Sequence, residues 1–145
     1  MKVTIAVLAD YANVSREGKL NIMGIFNRVT APQFPTVHPL MHLVLRLSLH
    51  NSESGKRLGI TIRLVDADGN RLLEISGEGV MMTQEPGEFF ADQVLTLANL
   101  VFPTPGDYAF DVLVNDEHRT TVPLKVVHAL PDTSRGTPAL QEGME

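Results

Sequence analysis

Residues 43–49 read Leu-Val-Leu-Arg-Leu-Ser-Leu. Leucine takes every second position, with Val44, Arg46 and Ser48 between. Successive side chains of an extended strand point to opposite faces, so this stretch predicts a strand with one fully apolar face. A helix would divide the four leucines between two sides of its axis. The same period of two recurs at Ile60, Ile62 and Leu64, at Tyr108, Phe110, Val112 and Val114, and at Val122, Leu124 and Val126. It also runs through MKVTIAVLADY at the start, where Asp10 interrupts the apolar run and no small-residue cleavage site follows, so a first strand is expected there and not a signal peptide. No segment sustains a helical period; the best, around 86–92, is short.

Turn residues separate these runs. Glu17-Gly18, Asp68-Gly69-Asn70 and Asn115-Asp116-Glu117 each stand between two alternating segments, which predicts hairpins. Pro103 to Asp107 divides two further strands. About eight strands at this spacing predict an all-β fold: a two-sheet antiparallel β-sandwich, immunoglobulin-like, with a closed barrel as the second choice. The sandwich is expected over 1–128, and a polar tail over 129–145. That tail is rich in turn residues and would need docking, on its own body or on a neighbour, to be ordered.

Pairing arithmetic sharpens the first hairpin. With Val14 opposite Lys19 across a four-residue loop, Tyr11 faces Ile22, Ala9 faces Gly24 and Val7 faces Phe26, a core face. The other face pairs Asp10 with Met23 and Leu8 with Ile25, and it too is apolar away from the turn. A strand pair with two apolar faces is usually covered on both. Leu8, Met23 and Ile25, with Phe34 on the proline-rich connection that follows, are therefore the expected contact residues toward another part of the chain or another subunit.

Composition narrows the chemistry. The chain of 145 residues is the size of one domain and is long enough to fold on its own core. It has no cysteine, which excludes disulfides, thiolate zinc sites and thiol catalysis. A net charge of −5 with scattered basic residues disfavours phosphate backbones, and no nucleic-acid partner is expected. No apolar stretch is long enough to cross a membrane as a helix; a cytoplasmic protein without a membrane partner is the expectation.

Motifs for catalysis are sparse. Asp66-Ala-Asp-Gly-Asn70 resembles the start of a calcium loop, but Glu74 and Glu78 miss the closing position and the segment lies between strands; a hairpin turn is expected instead. His38 and His42 are four apart, yet Pro39 breaks any helix that would align them. Neither a nucleophile elbow nor a glycine-rich phosphate loop occurs. No cofactor, metal or catalytic residue is assigned, and a site at one sandwich end using Asp10, His38 or Asp107 is the weakest of three readings. Tyr108, following the Pro-Gly turn, is placed to bond back to the backbone, as a tyrosine near a strand start does in many sandwiches.

The stretch DYANVSREGKLNIMGIFNRVTAPQFPTVHP, then LVDADGN, NLVFPTPGDYAFDVLVNDEH and VPL, together resembles a family of small uncharacterised bacterial all-β proteins, a domain of unknown function. The resemblance covers about residues 8–127 and implies a stand-alone bacterial domain; it brings no catalytic residues. The functional expectation is a non-enzymatic interaction or structural module, a homo-oligomer or bound to a protein partner. A small-ligand or carbohydrate-binding sandwich is the alternative, disfavoured for sugars by the absence of tryptophan.

Overall fold

The structure, a computed structural model, describes residues 1–129. Nine strands follow in chain order: β1 Lys2–Val14, β2 Leu20–Phe26, β3 Arg28–Ala31, β4 Thr36–His50, β5 Arg57–Val65, β6 Arg71–Val80, β7 Glu88–Phe102, β8 Gly106–Val114 and β9 Glu117–His128. A single 3₁₀ turn at Asn51–Glu53 links β4 to β5. Two separate sheets form, ordered β2-β1-β4-β7 and β3-β9-β8-β5-β6. The all-β sandwich stands. The short helical segment around 86–92 gives way to β7, which begins at Glu88. The tail from 130 lies outside the described residues.

The alternating leucines do what their period requires. Leu43, Leu45, Leu47 and Leu49 are buried, as are Ile62 and Leu64 of β5, Phe110 and Val112 of β8, and Leu124 and Val126 of β9. Leu43 and Leu45 join Phe102, Tyr108 and Phe110 in the main core between the sheets, while Leu47, Leu49, Ala91 and Val114 form a second cluster toward one end. Each such side chain contributes roughly 1.5–3 kcal/mol on burial. Tyr108 packs edge-on against Phe102, and its hydroxyl donates to the Thr104 carbonyl at 2.6 Å, the back-bonding expected of it.

Turn chemistry sets the hairpins. Asn115 and Asp116 both take positive φ, 50° and 66°, the requirement of the two-residue turn whose twist suits antiparallel strands. Asn115 also fixes that turn to β5: its N–H donates to the Gly59 carbonyl, and its side-chain oxygen accepts from the Gly59 N–H, each at 2.8 Å. At the 66–70 turn the Asp66 carboxylate accepts from the N–H groups of Asp68 and Asn70.

The first hairpin forms in a register one residue from that expected. Gly18, at φ +83°, follows a turn closed by its N–H to the Ser15 carbonyl, so Ser15 bonds Lys19 and Val14 pairs with Leu20. A left-handed glycine after such a turn inserts one extra residue, and a one-residue slip exchanges partners across the ladder. Tyr11 therefore faces Met23, Ala9 faces Ile25 and Leu8 faces Phe26. Asn13 and Asn21, opposite each other, bond side chain to side chain at 2.9 Å.

The ninth strand, β3, is the other departure. Its four residues pair with β9 in parallel, so the second sheet is mixed and not purely antiparallel. Val29 and Ala31 are buried, but four residues followed by prolines carry little local strand signal. Its partner lies nearly a hundred residues away in sequence.

Candidate functional site

The two outer faces of the sandwich differ in kind. On the second sheet, Arg63 of β5 reaches Glu74 of β6 at 2.9 Å, and Arg71 reaches the same carboxylate. Thr61 bonds Ser76, and Thr121 donates to Asp111. This face is a laced polar surface of the kind water already satisfies, and such exposed pairs stabilise little.

The outer face of the first sheet is apolar over much of its width. Val7, Val44 and Val94 stand in one row across β1, β4 and β7, in a cluster with Ala9 and Ala12 to which Leu20 and Ile22 of β2 add cover. The adjoining row runs Ile25, Ala9, His42 and Thr96. His42 is buried; its Nδ1 donates to the Asp10 carbonyl at 3.1 Å, and its ring lies 5.6 Å from that of Tyr11, edge-on. Toward one end of the sheet, Arg46 holds Asp92 through two bonds of 2.7 and 2.9 Å and sits over the Phe90 ring. Toward the other, cover ceases. Met23 is 70% exposed and Ile25 64%; Tyr11, opposite Met23, and Leu40, Val37 and Val101 are exposed as well.

β2, which carries Met23 and Ile25, is one of the two edges of this sheet, β7 being the other. Its seven residues, Leu-Asn-Ile-Met-Gly-Ile-Phe, include no charge and no proline. Free edges are normally blunted by lysine, proline or bulges; here the one such device is Gly24, whose φ of +72° interrupts the ladder opposite Asp10.

Among the expected contact residues, Leu8 must be withdrawn. It is fully buried in the main core, because β1 turns Ala6 and Leu8 toward the second sheet and Val7 and Ala9 to the outer face. Phe34 packs against the same core and lies 6.1 Å from the His128 ring, so it anchors the proline-rich connection more than it offers a surface. Met23 and Ile25 remain. Tyr11, expected in the core, is half exposed and joins them; neither it nor Leu40 was legible as surface, since the packing of the two sheets decides which face of β1 and β4 is covered. The uncharged run of β2 was the available signal.

Asp10, His38 and Asp107 are not brought together: among the described residues no hydrogen bond or ion pair joins any two of them. His38 lies against Phe26, ring centroids 6.0 Å apart, and Asp107 sits opposite Lys125 in the ladder. Among the described residues no group of three or more His, Asp or Glu side chains is placed to hold a metal. The Asp66 carboxylate is engaged within its own turn, where the Asn70 N–H above all holds its pKa below the ordinary value.

No helix among the described residues is long and apolar enough to cross a membrane. No curated protein matches the chain. Over residues 4–127, nearly the whole sandwich, the sequence fits one family model, and the chain belongs to that family, DUF6941, a family of unknown function.

Proposed function

We propose that this protein is a non-enzymatic interaction module, an immunoglobulin-like sandwich of the bacterial cytoplasm, that self-associates through the outer face and free edge of its first sheet. The observation that carries this reading is the exposure of Met23 and Ile25 on an edge strand without a single charge. Large exposed apolar side chains that adjoin one another mark contact surfaces. A second copy is the occupant that suits the surface. Two chains of net charge −5 repel each other, and the uncharged patch is where they can approach without bringing carboxylates together. A two-fold contact places the same patch on both partners, and an antiparallel meeting of two β2 strands would supply the backbone hydrogen bonds that this edge lacks.

Sedimentation velocity over a wide concentration range tests it. The native chain is expected to sediment as a dimer or larger, and M23K/I25K as a monomer that still unfolds cooperatively, at a melting temperature no longer dependent on concentration. A native chain that stays monomeric at every concentration would refute the reading.

A further inference from the structure

At the end of the sandwich away from the Gly18 hairpin, the sheets part around a cavity of about 290 Å³. Part of its wall is apolar: Leu49 and Val114 come from the second core cluster, with the half-buried Leu58 and Met81 packed against it. Its rim is cationic. Lys56, Arg57 and Arg119 all line it, and Glu53 is the one acid that does. Glu53 is already engaged, accepting from the amine of Met1 at 3.1 Å. Arg57 and Arg119 pair outward with Glu78 and Glu117, contacts in which every partner is well exposed; such pairs are worth little and yield easily to another anion. Lys56 has no ion-pair partner among the described residues. A cluster of positive charge over an apolar hole is unexpected on a chain of net charge −5.

We infer that this end of the sandwich binds an amphipathic anion: a carboxylate headed toward Lys56 and Arg119, with a short unbranched hydrocarbon chain between the sheets. The chemistry of both halves is needed. The apolar wall gives no direction to a ligand, and the rim alone would hold inorganic anions weakly in water. The volume lies at the small end of the range for ligand pockets, which suits a chain of modest length. A second cavity of the same volume shares Leu58 and Met81 with the first and continues between β6 and β7, lined by Ile60, Ile75 and Leu95. Longer chains have somewhere to go. The inference is independent of self-association, since the cavity and the outer face of the first sheet share no residue named here.

Titration of the full chain with sodium octanoate, followed by ¹H–¹⁵N correlation spectra, tests it. Octanoate is expected to shift the amides of Leu58, Val114 and Lys56, with decanoate binding more tightly, by about fourfold for each methylene that becomes buried. Octanol and octylammonium, with the same chain and no anion, are expected to bind at least tenfold more weakly. K56Q/R119Q, two surface changes, is expected to weaken octanoate about tenfold or more while leaving octanol unchanged; R28Q, away from the cavity, should change neither. Octanol equal to octanoate, octanoate indifferent to K56Q/R119Q, or no shift at these amides with millimolar octanoate would each overturn the inference.

Discussion

Gly24 lies against Asp10 across the first hairpin, so near that a Cβ added there would stand 2.6 Å from Oδ2 and 3.1 Å from the Cβ of Asp10. The backbone at Gly24 is also left-handed, which costs a residue with a Cβ about 1–2 kcal/mol. G24A is therefore expected to lose about 2 kcal/mol, from strain and crowding together. Adding D10A should recover only part, because the carboxylate leaves while the left-handed backbone and the Cβ contact remain. Urea unfolding of both single variants and the double variant measures this; full recovery in the double variant would show that backbone strain plays no part.

Leu8 and Ile25 sit one residue apart in register and belong to different worlds. L8A opens a void in the main core and should cost about 2–5 kcal/mol. I25A removes an exposed side chain and should change monomer stability by less than about 0.5 kcal/mol. Comparable losses at the two positions in unfolding titrations, at concentrations where the native chain is monomeric, would contradict the inward turn of Leu8.

The hydroxyl of Tyr108 ties the entry of β8 to the Thr104 carbonyl. Y108F keeps the ring on Phe102 and loses that bond together with the longer one, 3.4 Å, that the hydroxyl accepts from the Thr104 N–H, at an expected cost of about 1 kcal/mol. The freed carbonyl is in an exposed loop and can take water, so a larger loss is not expected. Thermal unfolding and amide exchange at residues 103–107 read the two effects separately. Unchanged exchange there would mean the bond does not order the loop.

Asp66 supplies a pH signature. Its carboxylate accepts from the Asn70 N–H at 2.8 Å, from the Asn70 side chain at 3.2 Å and from the Asp68 N–H at 3.0 Å, and these bonds hold its pKa below the ordinary 3.8. A depressed folded pKa stabilises fully above the unfolded value, and the benefit is lost as pH falls through the folded one. D66A should therefore be less stable than the native chain at pH 7, with the gap closing as pH drops below about 4. Urea midpoints at pH 7, 5 and 3 check this, and a gap that does not narrow would refute the assignment.

Much of the scaffold was legible along the chain because its causes are local. The leucines at 43, 45, 47 and 49, the Tyr108 to Val114 strand and the turn residues at 115 and 116 act through neighbours two or three positions away. Phe89 and Phe90, adjacent on a strand, point as alternation demands: Phe89 packs against the second core cluster and Phe90 remains exposed beneath Arg46. The candidate site was legible only in part. Met23 and Ile25 could be named from the apolar run of β2, whereas Tyr11 and Leu40 could not.

By itself, then, the sequence determined that this chain is built of strands, where most of them turn, and that one hairpin carries more apolar surface than a single core needs. Period and turn preference are properties of a few consecutive residues, and backbone sterics translate them directly. Only the tertiary structure decided the register of that hairpin, the parallel seat of β3 on β9, and the meeting of Lys56 and Arg119 over an apolar cavity. Each of these brings distant residues together, and what selects among the alternatives is burial summed over the whole sandwich.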